Sequence, residues 1–177
     1  MLKNTTNSYG LIAKLFHWVM AIIIISLASV GFFMSSMDNS PDKYELYAMH
    51  KAMGTIALLL VSLRLLWKML NQKVMPAKGL PSIIILAAQL GHFVLYIFML
   101  LMPASGLLMS LFGGYDVQVF NIFTIESWEK NSYLSSLFHD VHTTSALMLV
   151  AIIALHSLAA LYHHFIRKDR TLIRMIK

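Results

Sequence analysis

The sequence predicts an all-α membrane protein built as a four-transmembrane-helix bundle, and three observations carry that expectation. Four apolar runs are long enough to cross a bilayer, which takes about twenty residues of helix. The chain is 58% hydrophobic and only 12% charged, a balance outside the range of soluble domains. Its charges gather at the ends of the runs and between them.

The first span covers about residues 11–34. Lys3 and Lys14 precede its apolar run from about Leu15 and no small-residue cleavage pattern follows, so it reads as a retained span and not a signal peptide. The second, about 49–70, opens after Pro41 and the polar stretch DKYE. The third, 82–112, starts after Pro81 and carries Pro103, where a kink is expected because proline cannot donate to the preceding turn. The fourth covers about 138–166. Residues 113–137 form the one long connection, and its Trp128 and Tyr133 suit either an entrance or a cap on the bundle. With no repeat or low-complexity tract, residues 1–177 read as a single integral-membrane domain.

Charge placement predicts the topology. Lys3, Lys14, Lys68, Lys73, Lys78, Arg167, Lys168, Arg170, Arg174 and Lys177 lie at the two termini and between spans two and three. The other two connections hold Asp38, Asp42, Glu45, Asp116, Glu126 and Glu129, with Lys43 and Lys130 as their basic residues. The positive-inside rule then puts both termini in the cytoplasm and, in a bacterial inner membrane, the acidic loops in the periplasm. The net charge of +6 therefore marks membrane orientation; no nucleic-acid partner is expected, and lipid is. The absence of cysteine excludes a disulfide framework, a thiolate zinc site and covalent c-type haem attachment.

Eight histidines in so apolar a chain need partners, because each polar ring is costly in lipid. His142 and His156 stand fourteen residues apart on the fourth span. That spacing returns the side chain to within about 40° of its starting direction, about 21 Å farther along the axis. His17 lies near the cytoplasmic end of span one and His50 at the periplasmic start of span two. Two level pairs result, His17 with His156 and His50 with His142. A large flat ring also needs small neighbours. Ala13 and Ala21 flank His17, Gly54 follows His50, Ser145 and Ala146 follow His142, and Ala159 and Ala160 follow His156. Ordinary helix packing in membranes uses the same small residues, but their recurrence beside all four histidines favours two haem groups with these as iron ligands. Two imidazoles per iron fill both axial positions, which suits electron transfer and not oxygen binding.

The remaining polar residues admit more than one role. His163, nearly on the face of His156, suits a quinone carbonyl, a haem propionate or a plain interfacial site; His164 beside it reads as interfacial. His92, well inside span three, suits a haem edge, a quinone or a ligand position, whereas His139 is expected to face water. Arg64 needs an anion, for which haem propionates would serve, or it snorkels to headgroups beside Lys68. Lys51, next to His50, is a candidate attractor of an anionic substrate or else an interface anchor; no catalytic residue is otherwise marked.

The stretches KLFHW, HKAMG, GHFVLYIFMLLMPASGL and HTTSALMLVAIIALHSLAALYHHFIRKDRTLIRM carry a resemblance. Across nearly its whole length the chain resembles the bacterial cytochrome b561 family, small inner-membrane di-haem cytochromes that include superoxide oxidase. The resemblance implies two b haems held by His17, His50, His142 and His156, with a quinone as electron partner. For the superoxide oxidase branch it implies oxidation of periplasmic superoxide to oxygen, with the electrons passed to ubiquinone.

A superoxide:ubiquinone oxidoreductase is thus the leading expectation. A cytochrome b subunit linking a separate dehydrogenase, as redox partner protein, to the quinone pool is the alternative; short loops offer it little docking surface. A haem-free transporter of metal ions or protons is the alternative of another class, opposed by the apolar surroundings of the histidines and the lack of carboxylates in the membrane core.

Overall fold

A computed structural model describes residues 1–77 and 79–177; Lys78, counted above among the basic residues, lies outside the described residues. Four helices carry the described chain: α1 Leu11–Ser35, α2 Pro41–Leu70, α3 Ser82–Phe112 and α4 Ser132–Phe165. Each is long and apolar enough to cross a membrane. A short antiparallel hairpin, β1 Val117–Val119 with β2 Phe123–Ile125, interrupts the α3–α4 connection, and a final turn, α5, spans Ile173–Ile176.

Two helices start well before their apolar runs. α2 begins at Pro41 and not near residue 49, because Ser40 caps it by accepting from Lys43 N at 3.2 Å. Pro41 has no N–H to leave unpaired and Asp42 complements the helix dipole. α4 begins at Ser132 and not near residue 138, with the Asn131 side chain accepting from Leu134 N at 3.0 Å. Capping sets where a helix starts, and hydropathy sets only where lipid begins. His50 and His142 consequently sit two to three turns inside their helices, not at the ends. The connection expected over 113–137 shrinks accordingly and holds the hairpin. α3 runs unbroken through Pro103.

Successive helices pack as neighbours: α1 on α2, α2 on α3, and α3 most extensively on α4. Met20 and Ile24 of α1, Val61 of α2, Leu95 and Met102 of α3 and Leu149 of α4 form the central core. Outward, Ile22, Leu59, Phe93 and Leu158 are all more than half exposed. Such a surface is stable only against lipid, where the helices already satisfy their own backbone groups.

The hairpin closes one end of the bundle. Val117 and Val119 are buried against Leu111, and Phe120 and Asn121 turn the chain with φ of 46° and 57°. The other end is sewn together by both termini and the α2–α3 connection. Asn4 N donates to Asn71 Oδ1 at 3.3 Å, Arg174 to the Met75 carbonyl at 2.8 Å and Trp18 Nε1 to the Met175 carbonyl at 3.0 Å. Lys14 Nζ also donates to the Lys177 carbonyl. The three basic segments thus share one end, called below the terminal end; the acidic connections form the loop end.

Candidate functional site

At the loop end, α2 and α4 bring the His50 and His142 rings to a centroid separation of 6.3 Å, nearly perpendicular to one another. An imidazole binds a first-row metal at about 2 Å, and its nitrogen lies about 1 Å from the ring centre, so two rings on opposite sides of one ion stand about 6 Å apart. The pair has that spacing. His142 Nδ1 contacts the Met102 carbonyl at 2.7 Å. A carbonyl only accepts, so Nδ1 carries the proton and the Nε2 lone pair is left for a metal. His50 Nδ1 is buried without a hydrogen-bond partner among the described residues.

The space around this pair suits a large planar group. A cavity of about 630 Å³, lined by both histidines, Gly31, Gly54, Met99 and Gly106 among others, opens between the helices. That volume lies within the ~300–1,000 Å³ usual for cofactor sites. Glycines from three helices cradle it. A Cβ on Gly31 would stand 3.4 Å from His50 Cε1, and one on Gly106 only 2.8 Å from His142 Nδ1, whereas one on Gly54 would meet nothing within 4 Å. Gly54 was legible beside His50 in the sequence. Gly31 and Gly106 were not, because they reach the rings from other helices.

At the terminal end, α1 and α4 set the His17 and His156 rings 6.2 Å apart. Two features distinguish this level. His92 of α3 lies 5.3 Å from His156, so a third imidazole stands beside one member of the pair. Arg64 donates to His17 Nδ1 at 3.2 Å. A guanidinium only donates, so in this contact the neutral His17 ring carries its proton on Nε2. A metal on that nitrogen requires Arg64 to find another acceptor, and a carboxylate such as a propionate is the better one. Arg64 also lies 5.6 Å from the Tyr96 ring centre, which Lys68 approaches to 4.2 Å from its own position one turn on.

The other sequence candidates fall in separate places. Lys51 lines the loop-end cavity and donates to the Asp116 main-chain carbonyl at 3.0 Å. The Asp116 carboxylate itself turns to Ser127, accepting from its Oγ at 2.6 Å and its N at 2.8 Å. These hydrogen bonds, side chain first, hold Asp116 below the usual carboxylate range. His139 is exposed and 3.5 Å from Asp140. His164 stacks edge-on against Phe165 at 4.8 Å. His163 Nδ1 lies 2.5 Å from Asp169 Oδ2, a partner the sequence reading did not single out. Its signal was position: Asp169 is an acidic residue within an otherwise basic tail. Among the described residues, no three His, Cys, Asp or Glu side chains converge as a metal cluster.

Comparison with known proteins shows the family. The family model for prokaryotic cytochrome b561 matches residues 8–177. Cytochrome b561 homolog 2 of Escherichia coli (strain K12) is 30% identical over 175 residues, covering 98% of this chain and 93% of the relative. The probable superoxide oxidase CybB of Yersinia pestis is 30% identical over 167 residues, 90% of each chain. Cytochrome b561 homolog 1 of Escherichia coli (strain K12) is 36% identical over 90 residues, about half of each.

Proposed function

Because the chain belongs to the prokaryotic cytochrome b561 family, haem b-binding electron-transfer proteins of the bacterial inner membrane, we propose that it is a di-haem superoxide oxidase that delivers electrons to ubiquinone. Each haem b supplies a one-electron couple when bound. His50 and His142 would hold one group at the loop end, and His17 and His156 would hold the other at the terminal end. The observation that carries this reading is the recurrence of one spacing, 6.3 Å and 6.2 Å between ring centres, at two levels of a single bundle.

A haem held between two imidazoles would supply outer-sphere electron transfer, and the chain's own residues would bring the substrate close without offering it a place on the metal. The balance is simple: two superoxide anions each lose one electron to become oxygen, and one ubiquinone takes up both electrons and two protons to become ubiquinol. Superoxide enters at the acidic loop end, which faces the periplasm by the positive-inside rule. Lys51 is the nearest cation to His50 in the sequence and lines the cavity, its Nζ on a neutral carbonyl, so it keeps its charge for an incoming anion. Arg64 would take a propionate at the other level. His163 receives the quinone at the terminal end, and the whole chain, residues 1–177, acts as one domain. The likeness to a protein named probable superoxide oxidase supports the choice of donor.

A stopped-flow superoxide pulse on purified haem-loaded protein with ubiquinone tests the reading. Superoxide decay faster than with free haem, with stoichiometric ubiquinol, is the expected result. Decay no faster than with free haem would reject it.

One feature favours a second reading. Phe120, Ile122 and Phe123 make an exposed apolar tip on the hairpin, a surface that a separate dehydrogenase could cover. The chain would then be that enzyme's cytochrome b subunit, and a copurifying partner that reduces the haems would establish it. The haem-free transporter has no such support.

A further inference from the structure

Of the eight acidic residues, seven belong to the loop end: Asp38, Asp42, Glu45, Asp116, Glu126, Glu129 and Asp140. Asp169 alone stands at the terminal end, among the basic residues of the tail. A carboxylate in that position would ordinarily be expected to spread its charge over the nearest lysines and arginines. Instead its shortest contact is with a neutral-capable ring, His163 Nδ1 at 2.5 Å, while Arg167 Nε stays at 3.8 Å.

The backbone is bent to make this contact. The chain leaves α4 and turns back through Lys168, whose φ of 55° lies in the left-handed region, and Asp169 N donates to the His163 carbonyl at 3.1 Å. The second carboxylate oxygen accepts from Thr171 N at 2.8 Å. Asp169 is therefore fixed at both oxygens. Burial pushes its carboxyl up, but the hydrogen bonds from Thr171 and His163 outweigh it and leave the group below its usual range. The two side chains are only 14% and 16% exposed, largely shielded but not sealed from water.

An ionised carboxylate only accepts, so Nδ1 of His163 must hold a proton toward it, and the ring presents Nε2 on its far side. We infer that Asp169 is a positioning residue that makes His163 the proton donor to the quinone, fixing the ring so that its Nε2–H faces the quinone oxygen. This rests on the proposal that ubiquinone docks at His163. Reduction of the quinone takes two electrons and two protons. In the donating state both ring nitrogens carry a proton and the Asp169 carboxylate balances the ring's positive charge; one proton then passes from Nε2 to a quinone oxygen as the N–H bond breaks and the O–H bond forms. The ring, left neutral with its remaining proton on Nδ1 and hydrogen-bonded to Asp169, recovers a proton at Nε2 from water. The second proton comes from solvent.

The test separates this step from superoxide chemistry. Haem-loaded protein is reduced chemically, and its reoxidation by added ubiquinone is followed in water and in deuterium oxide. Asp169→Asn keeps an acceptor for Thr171 N but removes the charge. It should slow reoxidation by about tenfold or more, as loss of an orienting partner usually does, and enlarge the solvent isotope effect. Asp169→Glu should recover most of the rate, and haem content should match wild type in both variants. Apart from turnover, the His163 Nδ1 proton in histidine-labelled protein should resonate far downfield in wild type and lose that shift in Asp169→Asn. Wild-type protein that ubiquinone does not reoxidise overturns the quinone reading and this inference with it. If wild type is reoxidised and Asp169→Asn keeps pace within about twofold, with no change in isotope effect, the inference alone falls.

Discussion

His142 on α4 donates its Nδ1 proton to the main-chain carbonyl of Met102 on α3 at 2.7 Å, one residue before Pro103. That single contact ties the two most closely packed helices together and selects the tautomer that leaves Nε2 unprotonated. It also places the ring against Gly106, the next residue of that α3 face.

Gly106→Ala should therefore displace the ring. The new methyl would stand 2.8 Å from His142 Nδ1 and Cε1, a distance that real carbon contacts do not sustain. Haem affinity at the loop-end level is expected to fall by about 10–100-fold, as when an outer-shell partner is lost. Gly54→Ala should lower haem content too, because its methyl, clear of other protein atoms within 4 Å, would stand in the cavity beside His50. Pyridine haemochrome per protein measures both. Full haem in Gly106→Ala would show that nothing is cradled there.

The histidines themselves divide by level. Alanine at His17, His50, His142 or His156 should each cost about half of the bound haem, since one axial ligand in each pair is gone. His139→Ala should keep all of it, its ring being exposed beside Asp140. His92→Ala is the discriminating variant, because His92 lies 5.3 Å from His156. Retention of both haems with an altered spectrum is expected; loss of one there, with His17→Ala intact, would move the terminal-end ligand to α3.

Arg64 should tune the terminal-end group electrostatically. Oxidised haem carries one more positive charge than reduced haem, so a neighbouring guanidinium disfavours oxidation and raises the potential. Arg64→Ala is expected to lower one of the two midpoints by on the order of 60 mV, about tenfold in the equilibrium, and Arg64→Lys by less. A redox titration in which neither midpoint moves would mean that the guanidinium, 3.2 Å from His17 Nδ1 in this fold, stays clear of the cofactor.

The hairpin clasp should be acid-sensitive. Hydrogen bonds from Ser127 hold the Asp116 carboxylate below its usual range. A depressed folded value means that its contribution is fully present above the ordinary carboxylate range and is lost as pH falls through the lowered one. Amide exchange in Val117–Val119 should accelerate in that acid window. Ser127→Ala should start the loosening at higher pH, since it removes the Oγ donor at 2.6 Å. Exchange that is flat across the window would place the hairpin's stability elsewhere, in Val117 and Val119 against Leu111.

Much of this molecule was legible in the chain itself. The third helix has the bounds that its apolar run predicts, 82–112. The fourteen-residue interval from His142 to His156 put two rings on one face of α4, and the level partners His50 and His17 do lie across from them. Hydropathy and helical period are properties of neighbouring residues, so they survive in the sequence without any fold. The apolar runs at 49–70 and 138–166 do not mark where α2 and α4 start, for the same reason. Ser40 and Asn131 are polar, and a search for apolar runs passes over the caps that begin those helices.

The sequence by itself thus determined the spans, their depths and the four level histidines. Only the tertiary structure decided what those rings touch: the Met102 carbonyl and Gly106 against His142, Gly31 against His50, His92 beside His156 and Arg64 on His17. It also decided that Asp169, bent back by a left-handed residue, closes on His163. Contacts of this kind join residues on different helices or across a turn, and they exist only once packing has fixed which faces meet. No local pattern encodes a distance between two helices.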